Sequence, residues 1–332
     1  MQNLRVGLIG CGSAGTGHAM RMAAMPGIDL VALADPSEQN LQHMREQVPA
    51  TAGLPSFADA APMYDAIELD AVSVIAPHTL HFPIVMAAIE HGKHVLCEKP
   101  LTCEAEQART IEKAAEAAGL TVMVSYQRRF DPAYRYMRNA IESGALGEIR
   151  SIAVSCGQRW KTGTAGKWRQ DPALSGGGML MDSGSHLADM LLWLAGRPIE
   201  KVFALVDNVG APVDINTAAT VSFAGGVQGQ LTVIGDLATT WVETATISGS
   251  EGLLRYETEP QHPWRTGRLS HYRRDGIEVP LTLRDDDSPY QGWLAAIRGE
   301  APNPAPPAAG IQVALLSEAI YRSAKEGAAV TP

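Results

Sequence analysis

Short apolar runs alternate with helical patterns through the first third of the chain. Leu4, Val6, Leu8 and Ile9 form an apolar run that stops at Gly10, which reads as a buried parallel strand meeting a turn. A helix follows through Ala19, Met22 and Ala23 and ends at Pro26-Gly27. Asp29 to Ala34 is a second strand, ending in Asp35. Ala71 to Ala76 is another buried strand, and Phe82 to His91 is a helix with Val85, Ala88 and Ile89 on one face, closed by Gly92. His94 to Cys97 and Thr121 to Val124 are further strands, separated by an alanine-rich helix from Ala105 to Ala118. Alternating βα units imply a parallel, doubly wound sheet covered by helices on both faces. Ligands bind such sheets at the carboxyl ends of the strands, where the strand order reverses.

The pattern changes near residue 125. Asp131 to Ile141 is helical, and Glu148 to Cys156 alternates with Ile152, Val154 and Cys156 on one face. Asp182 to Leu194 is helical and ends at Gly196. From Lys201 the text is β-rich. Ala219, Val221 and Phe223 face one way, Gly225-Gly226 suits a two-residue hairpin loop, and Val227 to Val233 and Trp241 to Ser248 follow. Asp287 to Arg298 reads as a helix, Pro302, Pro304, Pro306 and Pro307 as a stiff connector, and 308–325 as an amphipathic helix. The expectation is a dinucleotide-binding domain over 1–124 and an α+β domain with a mostly antiparallel sheet over 125–332, the final helix being able to pack back on the first domain. Helices are scarce after residue 200, so a sheet face near Val221, Phe223, Leu231 and Val233 is expected to be uncovered unless a second copy hides it.

Composition narrows the class. The chain has 332 residues, 45% hydrophobic and 19% charged, as in ordinary globular proteins with a sizeable core. A formal net charge of −9 argues against a nucleic-acid partner or a membrane surface bound through a basic patch. Cys11, Cys97, Cys103 and Cys156 show no C-x-x-C spacing, which suits free thiols in the cytoplasm. No apolar run reaches the ~20 residues of a membrane span, and no clustered His or Cys marks a metal site.

Gly10, Gly12 and Gly15, with Cys11, Ser13 and Ala14 between them, have G-x-G-x-x-G spacing after a strand and before a helix. The first glycine permits the turn, the second lets backbone N–H groups approach a pyrophosphate, and the third lets helix and strand pack closely. The helix N-terminus adds open donors and partial positive charge. Asp35, 20 residues after Gly15, is placed to accept from the adenosine ribose hydroxyls, or alternatively to cap the next helix at Pro36-Ser37. Lys99, in Cys97-Glu98-Lys99-Pro100 at a strand's carboxyl end, reads equally as a donor to a substrate hydroxyl or as a surface lysine paired with Glu98. Gly176-Gly177-Gly178 leads into Asp182 and His186, i,i+4 neighbours on one helix face. An acid there could orient an imidazole as general base; a capping Asp with an incidental His is the plainer alternative. Trp160, Lys161 and Trp168 share a loop suited to a polyol or carboxylated sugar, or to packing. Trp193 and Trp241 read as core residues.

Taken together, GCGSAG, Glu98-Lys99-Pro100 and the G-G-G-x-x-x-D-x-G-x-H run from Gly176 to His186 resemble the glucose–fructose oxidoreductase/inositol dehydrogenase (Gfo/Idh/MocA) family, in order along nearly the whole chain. The resemblance implies a Rossmann domain, a second domain with a large open sheet, and dimers or tetramers formed by sheet packing. It implies NAD or NADP as cofactor, of which Asp35, with no basic residue in Pro36-Ser37-Glu38, favours NAD, and oxidation or reduction at a carbinol carbon of a sugar, cyclitol or related polyol. It assigns Lys99 as the catalytic lysine, often followed by a cis bond to Pro100, and Asp182 and His186 as the acid and histidine of the active-site helix. Pro77 and His81 match a strand-end pattern bordering the nicotinamide, with His78 where asparagine is usual; Glu98 is a further candidate cofactor contact. Ser125 to Phe130 resembles a stretch at the domain junction, with Tyr126 and Arg128 as candidates to line the substrate site. In the implied chemistry His186 takes the hydroxyl proton, Lys99 stabilises the developing oxyanion and Asp182 orients the polar site. Two alternatives remain: a glycosidase-like use of NAD in which oxidation enables elimination, and a non-catalytic NAD-binding regulator.

Overall fold

Six parallel strands build the first sheet in the order β3-β2-β1-β4-β5-β6. They are β1 (Leu4–Ile9), β2 (Ile28–Ala34), β3 (Ser56–Phe57), β4 (Ala71–Val74), β5 (His94–Cys97) and β6 (Val122–Val124) in a computed structural model. The structure describes residues 3–259, 267–276, 278, 283 and 288–332. Helices α1 (Ser13–Ala23), α2 (Glu38–Gln47), α3 (Ala60–Ala66), α4 (His81–Glu90) and α5 (Ala105–Ala118) alternate with the strands. All four residues of β4 are buried, as expected for a strand covered on both faces. The strand order reverses between β1 and β4, which places a crevice where Gly10 leaves β1. The backbones nearly touch there: a Cβ on Gly10, whose φ is +97°, would lie 2.1 Å from the Ile75 carbonyl oxygen.

The chain divides into two compact units. The first holds Met1–Thr102, Glu106–Ser125 and Asp287–Gly310; the second holds Cys103–Ala105, Tyr126–Asp286 and Ile311–Pro332. The second unit carries α6 (Pro132–Glu142) and a seven-stranded sheet ordered β13-β12-β11-β7-β10-β9-β8. Its strands are β7 (Ile149–Gly157), β8 (Ile199–Asp207), β9 (Asn216–Phe223), β10 (Val227–Ile234), β11 (Val242–Gly249), β12 (Gly252–Glu257) and β13 (Arg268–Arg273). Among the described pairs of this sheet, only β7–β10 is parallel. Between β7 and β8 run α7 (Trp160–Gly163), α8 (Pro172–Ser175) and α9 (Ser185–Ala195). Helices α10 (Pro289–Ile297) and α11 (Pro307–Glu326) follow β13. Asp287, the expected start of α10, lies outside the described residues.

Three local expectations change. Val221, Phe223, Leu231 and Val233, expected on an uncovered face, are buried within the second unit. Helix α9 packs on β7 and β10, and Leu191 lies beside Gly229, so a helix that precedes the β-rich stretch in sequence covers that face. The opposite face leaves Phe203 45% and Leu205 67% exposed on β8. The β9–β10 loop has three residues rather than two, because Phe223 pairs directly with Val227; Gly225 and Gly226 both have φ of +79°. The helix expected from Asp182 begins instead as a π-helical turn, Leu180–Gly184, that continues into α9 and closes at Gly196 with φ +57°.

Candidate active site

In the first unit the glycine-rich turn is shaped for an anionic ligand. A Cβ on Gly15 would lie 1.9 Å from the Gly10 carbonyl oxygen, so α1 rests directly on the turn. A Cβ on Gly12 would meet nothing within 4 Å. Gly12 is the N-cap of α1 with no side-chain cap, and Ser13 and Ala14 are exposed. Open N–H donors, a helix N-terminus and empty space beside Gly12 fit a dinucleotide pyrophosphate. Cys11 turns inward to the core, where burial pushes its thiol up to about 12.

Asp35 is 7% exposed and braces this turn. Its carboxylate accepts from the Cys11 N–H at 2.6 Å, the Ser37 N–H at 2.8 Å and the Asn40 side-chain amide at 3.1 Å. Ser37, not Asp35, caps α2, accepting from the Asn40 N–H. The capping role expected of Asp35 therefore falls to Ser37, and Asp35 instead braces the backbone of the glycine turn, each of its carboxylate oxygens accepting more than one donor.

The Lys99 turn is held by its neighbours. Glu98 N–H donates to Val74 O at 2.8 Å, continuing the sheet, and the Lys99–Pro100 bond is cis. Glu98 and Lys99 are half-buried. His81 is fully buried, with Nδ1 2.7 Å from Pro100 O and Nε2 2.9 Å from Ala76 O. It thereby straps the end of β4 to the Lys99-Pro100 turn. Burial, with His78 alongside, pushes the His81 imidazole down to about 4, against the two carbonyls that favour its charged form. His78 is buried beside it, ring centroids 6.0 Å apart, and Pro77 leads into this turn.

In the second unit the chain from Gly178 to Leu191 is buried at every residue except His186. Asp182 accepts at Oδ2 from Trp160 Nε1 at 2.8 Å and from Arg169 Nε at 2.9 Å. Trp160 is buried and acts as a strut to that carboxylate, while Arg169 lies over the Trp168 ring, 4.4 Å from its centroid. Lys161 Nζ donates to Val209 O at 2.6 Å. Arg128, a candidate substrate contact, grips Glu243 through Nε at 3.0 Å and Nη2 at 2.7 Å; Tyr134 and Trp241 donate to the same carboxylate. Arg129 pairs with buried Asp189 and lies over the Tyr126 ring. Tyr126 is 1% exposed. Trp241 is buried as expected, whereas Trp193 is half-buried beneath Arg129 and Arg138.

Several supports carry no motif in the sequence. Asp214 accepts from Gly178 N–H at 2.6 Å, Leu180 N–H at 2.8 Å and the Tyr321 hydroxyl at 2.7 Å. A Cβ on Gly178 would lie 1.9 Å from Asp214 O, and one on Gly177 2.6 Å from the Tyr321 oxygen. The glycine run thus makes room for its own brace. Among the described residues, no group of His, Cys, Asp and Glu is arranged to hold a metal ion, and no helix is long and apolar enough to cross a membrane.

The parallel sheet and its glycine-rich turn are those of a Rossmann fold, and residues 4–126 match an oxidoreductase family with an NAD-binding Rossmann fold. Residues 134–255 match the GFO/IDH/MocA C-terminal domain, and the chain belongs to the Gfo/Idh/MocA oxidoreductase family. Inositol 2-dehydrogenase 4 of Saccharopolyspora erythraea is 35% identical over 203 residues, which cover 60% of this chain and 56% of that protein's length. The uncharacterized oxidoreductase YdgJ of Escherichia coli is 29% identical over 349 residues, 98% of each chain. A levoglucosan dehydrogenase structure in complex with NADH and levoglucosan superposes with a TM-score of 0.83 at 25% identity, covering 99% of both chains.

Proposed function

We propose that this protein is an NAD-dependent dehydrogenase acting on a secondary alcohol of a sugar, cyclitol or related polyol. The observation that carries the reading is His186, the one half-exposed side chain in an otherwise buried stretch from Gly178 to Leu191. A buried helix that presents a single imidazole is built to offer a proton acceptor. Its Nδ1 is shut from solvent, so the substrate proton goes to Nε2. Lys99 donates to the substrate oxygen and stabilises the negative charge that develops there. Asp182, held by Trp160 and Arg169, acts as a fixed carboxylate that orients the polar groups around it. Gly12, Ser13 and Ala14 would hold the pyrophosphate, and Asp35 the adenosine ribose, with no basic residue in Pro36-Ser37-Glu38 to receive a 2′-phosphate. When bound, the nicotinamide supplies the hydride acceptor or donor. Four free thiols suit a cytoplasmic enzyme, and Phe203 and Leu205 mark the sheet face through which a homodimer or homotetramer would assemble.

The test is a panel of myo-inositol, scyllo-inositol, levoglucosan and glucose with NAD or NADP, read by nicotinamide absorbance. Turnover with NAD is expected. Lys99→Met should lower it about 10²–10³-fold, the usual worth of a donor to a developing oxyanion, while NADH binding persists. His186→Ala should flatten the rise of activity with pH. NADH binding without turnover on any polyol would overturn the dehydrogenase reading in favour of a regulator.

A further inference from the structure

His18 is a buried imidazole on α1, 3% exposed, that the mechanism above does not use. Its Nε2 lies 2.9 Å from Glu98 Oε1. Its Nδ1 lies 3.1 Å from the hydroxyl of Tyr290 on α10, and that hydroxyl accepts from Arg21 Nε at 3.0 Å. Glu98 Oε2 in turn accepts the Lys99 backbone N–H at 3.3 Å. The chain of contacts runs Arg21, Tyr290, His18, Glu98, Lys99, all within the first unit.

The donors fix its direction. A guanidinium only donates, so the Tyr290 oxygen accepts from Arg21. Burial pushes the Tyr290 phenol up, so its O–H is retained and donates to His18 Nδ1. Nδ1 is then an acceptor, and the ring proton sits on Nε2, where it donates to the Glu98 carboxylate. One neutral tautomer satisfies every contact. An imidazolium would aim a second donor at the Tyr290 oxygen and deprive the Tyr290 O–H of this acceptor.

We propose that His18 is a positioning residue for Lys99: it fixes the Glu98 carboxylate, which holds the backbone N–H of the reactive lysine. The inference rests on the role given to Lys99 above. It also ties the helix that would receive the pyrophosphate to the turn that carries the lysine. Partners behind a reactive group set its placement, and a misplacement of about 1 Å costs on the order of 10²-fold in rate.

Two measurements test it. The first needs no turnover: imidazole ¹⁵N spectra of the wild-type protein, assigned with His18→Gln, should show His18 as the neutral Nε2–H tautomer. An Nδ1–H tautomer or an imidazolium overturns the proposal. The second is kinetic, on the polyol the wild type uses best. His18→Leu should lower kcat about 10- to 100-fold, leaving KM and NADH affinity within about threefold. His18→Gln, whose amide reaches the depth of Nε2, should recover most of the lost kcat. Equal loss in both variants, or loss confined to NADH affinity, makes His18 a structural residue and overturns the proposal. If His18→Leu does not fold, Tyr290→Phe decides: it keeps the ring and removes the donor, and kcat should fall several-fold, whereas unchanged kcat overturns the relay. Lys99→Met, run in parallel, separates the two claims. If it is inactive while His18→Leu turns over normally, only the present proposal fails. If it keeps near-normal turnover, the role of Lys99 fails and the proposal falls with it.

Discussion

Two glycine-rich turns lead into helices in this protein, and they do opposite things. At Gly10–Gly15 the helix N-terminus is left open: Gly12 faces empty space, and Ser13 and Ala14 are exposed. At Gly176–Gly178 the same kind of N-terminus is closed from inside the protein: Asp214 takes the Gly178 and Leu180 N–H groups, and Tyr321 packs against Gly177. Unsatisfied donors at a helix start must find acceptors. In the first turn a ligand can supply them; in the second a carboxylate of the chain already does. A glycine run before a helix therefore says only that something approaches the backbone closely. Whether that is a phosphate or an aspartate depends on what the rest of the chain puts there.

Substitutions should separate the two turns sharply. The largest effect is expected from Gly178→Ala, whose Cβ would fall 1.9 Å from Asp214 O, a backbone atom that cannot swing away. The expected loss is about 3 kcal/mol in urea unfolding, with NADH affinity of the folded protein unchanged. Asp214→Asn comes next. The amide keeps one acceptor but turns a donor toward the other N–H, so about 2 kcal/mol should be lost by the same measurement. Wild-type stability in either variant would break the distinction.

Gly12→Ala is the mirror experiment. A Cβ there meets no protein atom within 4 Å, so unfolding should be unaffected. Loss of about one hydrogen bond to phosphate, ~1.4 kcal/mol, should weaken NADH binding roughly tenfold in a fluorescence titration. Unaltered affinity would mean that the space beside Gly12 is not the pyrophosphate cradle.

The smallest effect separates the units by acid. His81 is held near 4 in the folded protein against an ordinary 6.5. Between those values the unfolded chain binds the extra proton, so the stabilisation is complete above about 6.5 and is lost as pH falls toward 4. Between pH 7 and 5.5 the expected loss is about 1 kcal/mol, and His81→Gln should remove that slope. Hydrogen exchange should locate the loosening at the Lys99-Pro100 turn of the first unit and leave the turn braced by Asp214 unaffected.

Much of the first unit was legible in the sequence because its signals are local. A strand buried on both faces is a run of apolar residues, a glycine at a crossing is one residue wide, and β1, α1 and β2 follow one another within Leu4–Ala34. The position of Lys99 was legible for the same reason: it follows closely on the end of β5. The candidate site in the second unit was less legible. The Asp182–His186 spacing showed, but not that Asp182 is fixed by Trp160 and Arg169, nor that the helix opens with a π-helical turn. Arg128 illustrates the limit. In sequence it is a cation in a suggestive stretch; in the fold it meets Glu243, 115 positions away.

Local sequence was enough to set the alternation of strands and helices, the parallel sheet of the first unit, the alternating strands of the second, and the residues at which backbone must approach backbone. Those features follow from periodicity and from the steric properties of glycine, which act within a few residues. Tertiary structure alone decided which sheet face α9 covers, which glycine turn stays open, and which charged side chains are held by the protein. The partners that settle these matters are remote in the chain: Asp214 is 36 positions from Gly178, and Tyr321 is 107 from Asp214. A hydrogen bond or a buried face is satisfied by whatever group the fold delivers within about 3 Å, and that distance has no counterpart in sequence spacing.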